Sequence, residues 1–587
     1  MTQLLGSLSA SGHRLDLVGT QSVKCPKSGI VSVLEGSPYW EDRHLATLSS
    51  DEGHAAALAE GYGRRGADVL DLLGGSFVFA IHDPQEQACL LACDRTGIMP
   101  LYYAYGDAGL VFATRADTVA NEPGVDARFD PQALFDFLYF HVVPGPETVY
   151  AGVKRLQPGE CLRWSEGEVS IEPYWVMDYE KEVLDGSCEE WRKRSLELLS
   201  DAVRRHTEGK STVGAFLSGG IDSSTISGLL SRLDAGSART YSIGFDADGY
   251  DEMEYARIVA RHFGAEHHEY YVTPDDVASA IPRLAAHFDQ PFANASAVPT
   301  FYCAQMAKSD GVDRLLAGDG GDELFGGNYR YAKQELFALY DRVPAALRQY
   351  VLEPALLRSS LGNVGPFRKL ANYISQANLP MPQRMESYNL LERLGPESVL
   401  TDAVMEQIDV NAPLQLLSET YEQARASSML NRILTVDMRF TLADSDLPKV
   451  TRACEMAGVQ VAFPFLDDRV VEFCSRLPTR EKVRGRKLRY LFRDAVREFL
   501  PEQVLTKKKH GFGLPFGVWL REYPLLRELT HDSLNALKGR ELIKPEFIDN
   551  LLEQHSTGHA AYYGTMVWTL LMLEQWLSVQ EQSQRAA

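Results

Sequence analysis

Two short stretches hold residue types at spacings that suggest chemistry. The first is Leu-Ser-Gly-Gly-Ile-Asp-Ser-Ser, Leu217 to Ser224. It falls where an apolar run passes into a helix-forming stretch. Glycines let backbone N–H groups approach a phosphate, and a helix N-terminus favours its negative charge. The hydroxyls of Ser218 and Ser223 add donors, and the Asp222 carboxylate suits a magnesium ion on the phosphates. A glycine turn with ordinary helix caps is the plainer alternative. The second stretch, Leu315 to Gly327, carries Asp319, Asp322 and Glu323 among glycines. Acids crowded into a turn repel one another unless a cation or proton compensates. A solvated acidic loop would account for them. A magnesium ion shared with Asp222 accounts for both stretches together.

The elements around these turns can be read from periodicity. A helix over 189–207 leads to a strand over 212–217, and a second helix over 223–233 follows the glycine turn. Strands over 239–245 and 266–272 flank a helix over 252–264. Alternation of strand and helix predicts a parallel sheet. After about residue 330 the chain reads as mainly helical. The first 180 residues or so read instead as β-rich, with strand-like runs such as Gly-Ser-Phe-Val-Phe-Ala-Ile-His-Asp and Ala-Cys-Leu-Leu-Ala-Cys-Asp. Two stacked antiparallel sheets are expected there. A charged stretch over 180–195 marks the boundary.

Composition excludes several classes. The 587 residues allow two or more domains, and 45% hydrophobic with 24% charged residues is ordinary for a folded protein. A net charge of -21 argues against nucleic acid or an anionic membrane as the general partner. The first 30 residues lack a basic start followed by a long apolar stretch, so no secretory signal is expected, and no apolar run reaches membrane-spanning length. The eight cysteines form no CxxC pair, which argues against a zinc site or disulfide framework and fits a reducing, cytoplasmic setting.

Taken together, LSGGIDSS, YSIGF, GDGGDELFGG, FPFLD and KKKHGFGLPFGVWLR resemble the glutamine-dependent asparagine synthetases. In front, DRTGIMPLYYA and GVKRLQPGE resemble that family's glutaminase domain and the stretch after it. The resemblance implies an α/β protein in two parts. Residues 1–180 would form an Ntn-hydrolase-like αββα sandwich of the type 2 glutamine amidotransferases. Residues 190–587 would form a pyrophosphatase-type (PP-loop) ATP-binding synthetase domain with a helical C-terminal part. It also implies ATP and Mg2+ as cofactors and formation of an acyl-adenylate, followed by attack of an amine. Leu217, Ser218, Gly219, Gly220, Asp222, Ser223, Ile243 and Gly318 would surround the nucleotide. Asp222 and Asp322 would bind magnesium, and Lys487 would steady the phosphates. Asp319 and Asp446 would stand near the reacting centre as proton acceptors. A homodimer is compatible with the resemblance alone.

The chain also departs from the family. Where a working glutaminase keeps its N-terminal cysteine, this chain has Thr2, followed by Gln3. The family's Arg-Gly-Pro-Asp segment is absent, and Glu35 and Ser37 stand where Asn and Glu belong. Losing one oxyanion-hole donor costs about 100- to 1000-fold. Thr2 as an amine-assisted nucleophile is the alternative, but a retained, switched-off domain is the expectation. In the synthetase half, Gln290, Asn294, Thr451, Gln460 and Ala462 replace charged residues. That predicts a larger or less charged acyl substrate, small molecule or peptide. The function expected is an ATP-dependent amide-forming ligase that does not hydrolyse glutamine, in specialised metabolism or peptide modification. The lasso-peptide cyclases and β-lactam synthetases share such a front domain. The competing readings are an asparagine synthetase fed by ammonia or glutamine, and a non-catalytic scaffold homologue.

Overall fold

The computed structural model describes the chain apart from residues 1–3, 10–14, 19–21, 27, 108, 166, 183, 210–211, 235–237, 248, 358–364, 508–512 and 587. Thr2 and Gln3 therefore lie outside the described residues.

The front domain is built on period-two strands. In Leu73–Asp83, Val78 and Ala80 face one apolar cluster while Phe77, Phe79 and Ile81 face another. Cys89 and Leu91 of Ala88–Cys93 share the first cluster, Leu90 and Ala92 the second. A strand apolar on both sides must be covered on both sides. One cover is a second antiparallel sheet, ordered Leu15–Val18, Leu5–Ser9, Gly109–Ala113, Tyr102–Gly106 and Lys154–Arg155. The other is the helix pair Arg43–Glu52 and His54–Arg65. Helices Ala116–Ala120 and Pro131–Phe140 join the cluster beyond the second sheet. The result is the expected αββα sandwich.

The rear part carries a five-stranded parallel sheet in the order Glu266–Val272, Arg239–Phe245, Val213–Phe216, Arg314–Leu316, Gln460–Ala462. The strands read from sequence appear within a residue or two of their expected ends. Strand order runs outward in both directions from Val213–Phe216, so the switch point lies between it and Arg314–Leu316. Ligands bind outside the carboxyl ends of strands at such a point. Both glycine stretches of the sequence emerge there. The remainder is helical and ends in Ala560–Ala586, whose Trp568 and Trp576 donate to the carbonyls of Ala293 and Phe288.

The two parts are joined by buried polar contacts. Arg155 of the front domain pairs with Asp444 of the synthetase part, and both are buried. Asp468 accepts from the Gly75 N–H at 2.8 Å and the Tyr39 hydroxyl at 3.1 Å. Asp289 accepts from the Ala116 N–H at 2.8 Å. Among the described residues no helix is long and apolar enough to cross a membrane.

Removing one half of a buried ion pair strands the other charge. Asp444→Ala is expected to lower stability by about 3–5 kcal/mol. The double variant Arg155→Met/Asp444→Leu should regain most of that loss, as read from thermal midpoints.

Candidate functional site

The site is a cavity of about 640 Å³ at the switch point. One wall is the turn after Val213–Phe216. The Ser218 hydroxyl meets the Ser223 hydroxyl at 2.9 Å, and the Ser218 N–H donates to Ser223 Oγ at 3.2 Å. These bonds fold the turn back over the N-terminus of helix Ile221–Leu233. That helix has no side-chain cap, so its first amides remain directed at the cavity. Gly219 has a positive φ of 68°, and a Cβ there would lie 2.5 Å from Tyr255 Cβ. A Cβ on Gly318 would lie 2.8 Å from the Ser223 N–H nitrogen. Only glycine lets the second turn approach the first.

That approach brings the acids together. Asp222 and Asp322, from different turns, both accept from Nη2 of Arg489. Burial works against the guanidinium charge, but the two carboxylates outweigh it and hold Arg489 protonated. Deeper in the cavity Lys449 lies 2.9 Å from Asp446 and 3.5 Å from Asp319. Burial opposes its charge too, and the Asp446 and Asp319 carboxylates raise its pKa above the ordinary lysine value. Burial pushes the Asp319 carboxyl up, and Lys449 only partly offsets this. Glu323 is buried, and burial, reinforced by Asp322 and Asp446, lifts its carboxyl well above the usual range. Lys507 completes the wall, 3.0 Å from Glu252 and 3.3 Å from the Ser218 carbonyl.

Two carboxylates that reach one nitrogen are close enough to share one cation, and hard oxygen donors suit magnesium. Among the described residues no group of three or more His, Cys, Asp or Glu side chains could hold a metal alone. Asp222 and Asp322 thus fit a magnesium ion that arrives with phosphate oxygens as its other ligands.

Leu217, Ser218, Gly220, Asp222, Ser223, Ile243, Gly318, Asp319, Asp322 and Asp446 all line this cavity. Gly219 stands behind the lining as the packing glycine of the turn. Lys487 is not brought in. It is exposed and closes a tight backbone turn with Arg484. Arg489, two residues on, lines the cavity instead. Lys449, Arg489 and Lys507 were not singled out by the sequence reading, and Glu323 was named only as one of three crowded acids, with no role of its own. A signal for Glu323 was present in its acid-rich turn, and one for Lys507 in the Lys-Lys-Lys-His run. Nothing in local spacing separates Arg489 from Lys487 in Arg-Gly-Arg-Lys-Leu-Arg-Tyr.

The neutral substitutions lie elsewhere than expected. Gln460 is exposed and accepts from Arg314 at 3.1 Å, and the same guanidinium nitrogen reaches the Ser37 hydroxyl at 2.9 Å. Ala462 is buried in the sheet, its carbonyl accepting from the Ala317 N–H. Gln290 accepts from the Val149 N–H at 2.9 Å, and the Thr451 hydroxyl donates back along its own helix. Of the five, only Asn294 bonds to a side chain that lines the cavity, donating to Asp446 at 3.3 Å. The inference of an enlarged acyl site from Gln460 and Ala462 therefore has no support in the cavity's geometry. In the front domain Glu35 is pushed up from 4.5 to about 7, chiefly by burial.

The Asparagine synthase family profile matches residues 194–578, and the Glutamine amidotransferase domain profile matches residues 43–175. A Mycobacterium tuberculosis protein is 28% identical over 576 residues, covering 94% of this chain and 83% of its own. "Asparagine synthetase [glutamine-hydrolyzing] 1" of Bacillus subtilis is 26% identical, covering 91% of this chain and 82% of its own. "Amidase chry2" of Gibberella zeae is 23% identical, covering 88% and 81%.

Gly318→Ala should force the two turns apart and weaken nucleotide binding about tenfold or more, some 1.4 kcal/mol. Titration with a fluorescent ATP analogue reads this directly, and unchanged affinity would contradict the packing argument. Glu35 binds its proton more tightly folded than unfolded. Stability it supports below its ordinary value is lost as pH rises from 4.5 toward about 7. Glu35→Gln should flatten that fall, so its advantage in thermal midpoint over wild type should be larger at pH 7.5 than at pH 5.

Proposed function

The chain belongs to the asparagine synthase family, and from that premise we propose that its cavity adenylates a carboxylate with ATP and passes the acyl group to an amine without hydrolysing glutamine. ATP-dependent amide formation follows from the family. The finer reading rests chiefly on one observation. A single cavity joins the open helix N-terminus at Ser218–Ser223 to the Asp319–Lys449–Asp446 cluster.

The residues divide the work by position. The Ser218–Gly220 turn and the amides of helix Ile221–Leu233 take the phosphates. Asp222 and Asp322 would hold magnesium, which when bound would supply positive charge beside the phosphates. Arg489 and Lys507 supply positive charge at the same end, the part the sequence gave to Lys487. A carboxylate oxygen of the substrate attacks the α-phosphorus, and the bond to pyrophosphate breaks. The amine then attacks the acyl carbon, and AMP leaves with the bonding pair. The amine must lose a proton in that second step. Asp319 is the better acceptor: burial raises its carboxyl, and Lys449 lies nearer Asp446. Asn294 and Lys449 hold Asp446 in place. In the front domain Glu35 and Ser37 stand where the family's Asn and Glu support glutamine hydrolysis. Ser37 is engaged instead by Arg314. That supports a silent glutaminase.

One observation favours a second reading. Gln460 and Ala462 lie outside the cavity, so the reacting end keeps its acids and Lys449. An asparagine synthetase using free ammonia is consistent with that set. A scaffold homologue is disfavoured, because a scaffold has no need of buried charges converging on an open helix N-terminus.

Pyrophosphate release separates these readings. It is expected with ATP and a cognate acid, and glutamine should yield no glutamate. Release with aspartate plus ammonia at the highest rate among the tested pairs would favour the second reading. Asp319→Asn should slow amide formation about 100- to 10,000-fold yet leave carboxylate-dependent ATP–pyrophosphate exchange in place. Loss of both would move Asp319 out of the second step.

A further inference from the structure

Arg489 is placed oddly for a permanent ion pair. A guanidinium binds a carboxylate best as a fork, with two parallel N–H bonds to one partner. Here one nitrogen, Nη2, serves two carboxylates from two different turns. Its Nε–H is buried and has no hydrogen-bond partner among the described residues. The backbone of Arg489 is fixed: its N–H donates to the Gly326 carbonyl at 3.2 Å, and φ is +48° just before helix Tyr490–Ala495. A Cβ on Gly327 would run into both Asp322 and the guanidinium, so that glycine keeps the slot open. One donor between two hard carboxylates is the arrangement a metal ion would adopt.

We propose that Arg489 is the resident counter-cation of the metal carboxylates, holding Asp222 and Asp322 in the free enzyme and ceding them to magnesium when Mg·ATP binds. Without a cation the two carboxylates would repel, and the turns that carry them would part. Arg489 keeps them converged. A metal ion alone must displace the guanidinium into a buried cavity with no new partner, so metal alone binds weakly. Metal with nucleotide brings phosphate oxygens, which receive both the freed guanidinium and its unused Nε–H. Metal and nucleotide then bind with positive coupling, and Arg489 carries it. This rests on the reading that the cavity takes ATP, but its test needs no turnover.

Mn2+ binding followed by electron paramagnetic resonance reads the site. Wild type is expected to bind Mn2+ weakly alone and about tenfold or more tightly with a non-hydrolysable ATP analogue. Arg489→Gln should bind Mn2+ alone about tenfold better than wild type, and the analogue should then add less. Asp322→Asn in that background should cancel the gain. Arg489→Lys keeps the charge without spanning both acids and should fall between, which covers the case where the glutamine variant does not fold. Mn2+ affinity that is unchanged or weaker in the folded Arg489 variants would overturn the proposal. Failure of wild type to bind the analogue would instead remove the ATP reading, while the metal-alone comparison still decides the role of Arg489.

Discussion

Two carboxylates from separate turns converge on one positive charge, and most of the rear part serves to make that convergence affordable. Asp222 opens the helix after one strand, and Asp322 lies in the short helix after its neighbour. Parallel strands place both turns at the same end of the sheet. Gly318, Gly321 and Gly327 remove the Cβ atoms that would hold the turns apart. The open amides of helix Ile221–Leu233 add the positive end of a dipole beside the acids. The same packing that invites a phosphate also forces the acids close, so the site needs a cation whether or not nucleotide is present. Arg489 meets that need from a third segment.

The deeper end of the cavity repeats the pattern with other residues. Lys449 is flanked by Asp319 and Asp446, and neither carboxylate belongs to the phosphate end. One cavity thus holds two acid–base clusters in series. Charge is paired within each, so a net charge of -21 over the chain does not expel an anionic nucleotide from the site.

Much of this was legible in the sequence, because its signals are local. Period-two runs such as Phe77–Ile81 gave the sandwich, and strand–turn–helix with glycine and Asp222 gave the phosphate turn. Asp319 and Asp322 announced themselves by crowding. What was illegible depends on side chains meeting across long sequence separations. Arg489 and Lys487 share a basic run, and only the fold shows which of them turns inward. Gln460 looked like a lost substrate contact because the resembled family keeps an acid at that position. In three dimensions its partner is Arg314, on the adjacent strand. Counting charges along the chain assigns a substitution to the nearest motif, whereas burial and strand direction decide which surface it reaches.

The front domain has a structural role apart from any glutamine chemistry. Arg155 is buried against Asp444, two residues before Asp446 of the reacting cluster. Asp444 and Asp446 flank Ser445 in one irregular helical segment, Asp437–Asp446. Removing the front domain would leave the buried Asp444 carboxylate without its Arg155 partner. Asp468 and Asp289 are tied to the same domain through Gly75, Tyr39 and Ala116. The fold of the front half is therefore held by its contacts with the synthetase part, whatever its own chemistry. Arg314 illustrates the consequence: one guanidinium binds Ser37 in front and Gln460 behind. Two positions that look like independent losses in the sequence meet at one guanidinium across the junction, so either one changed to an acid would form an ion pair with Arg314.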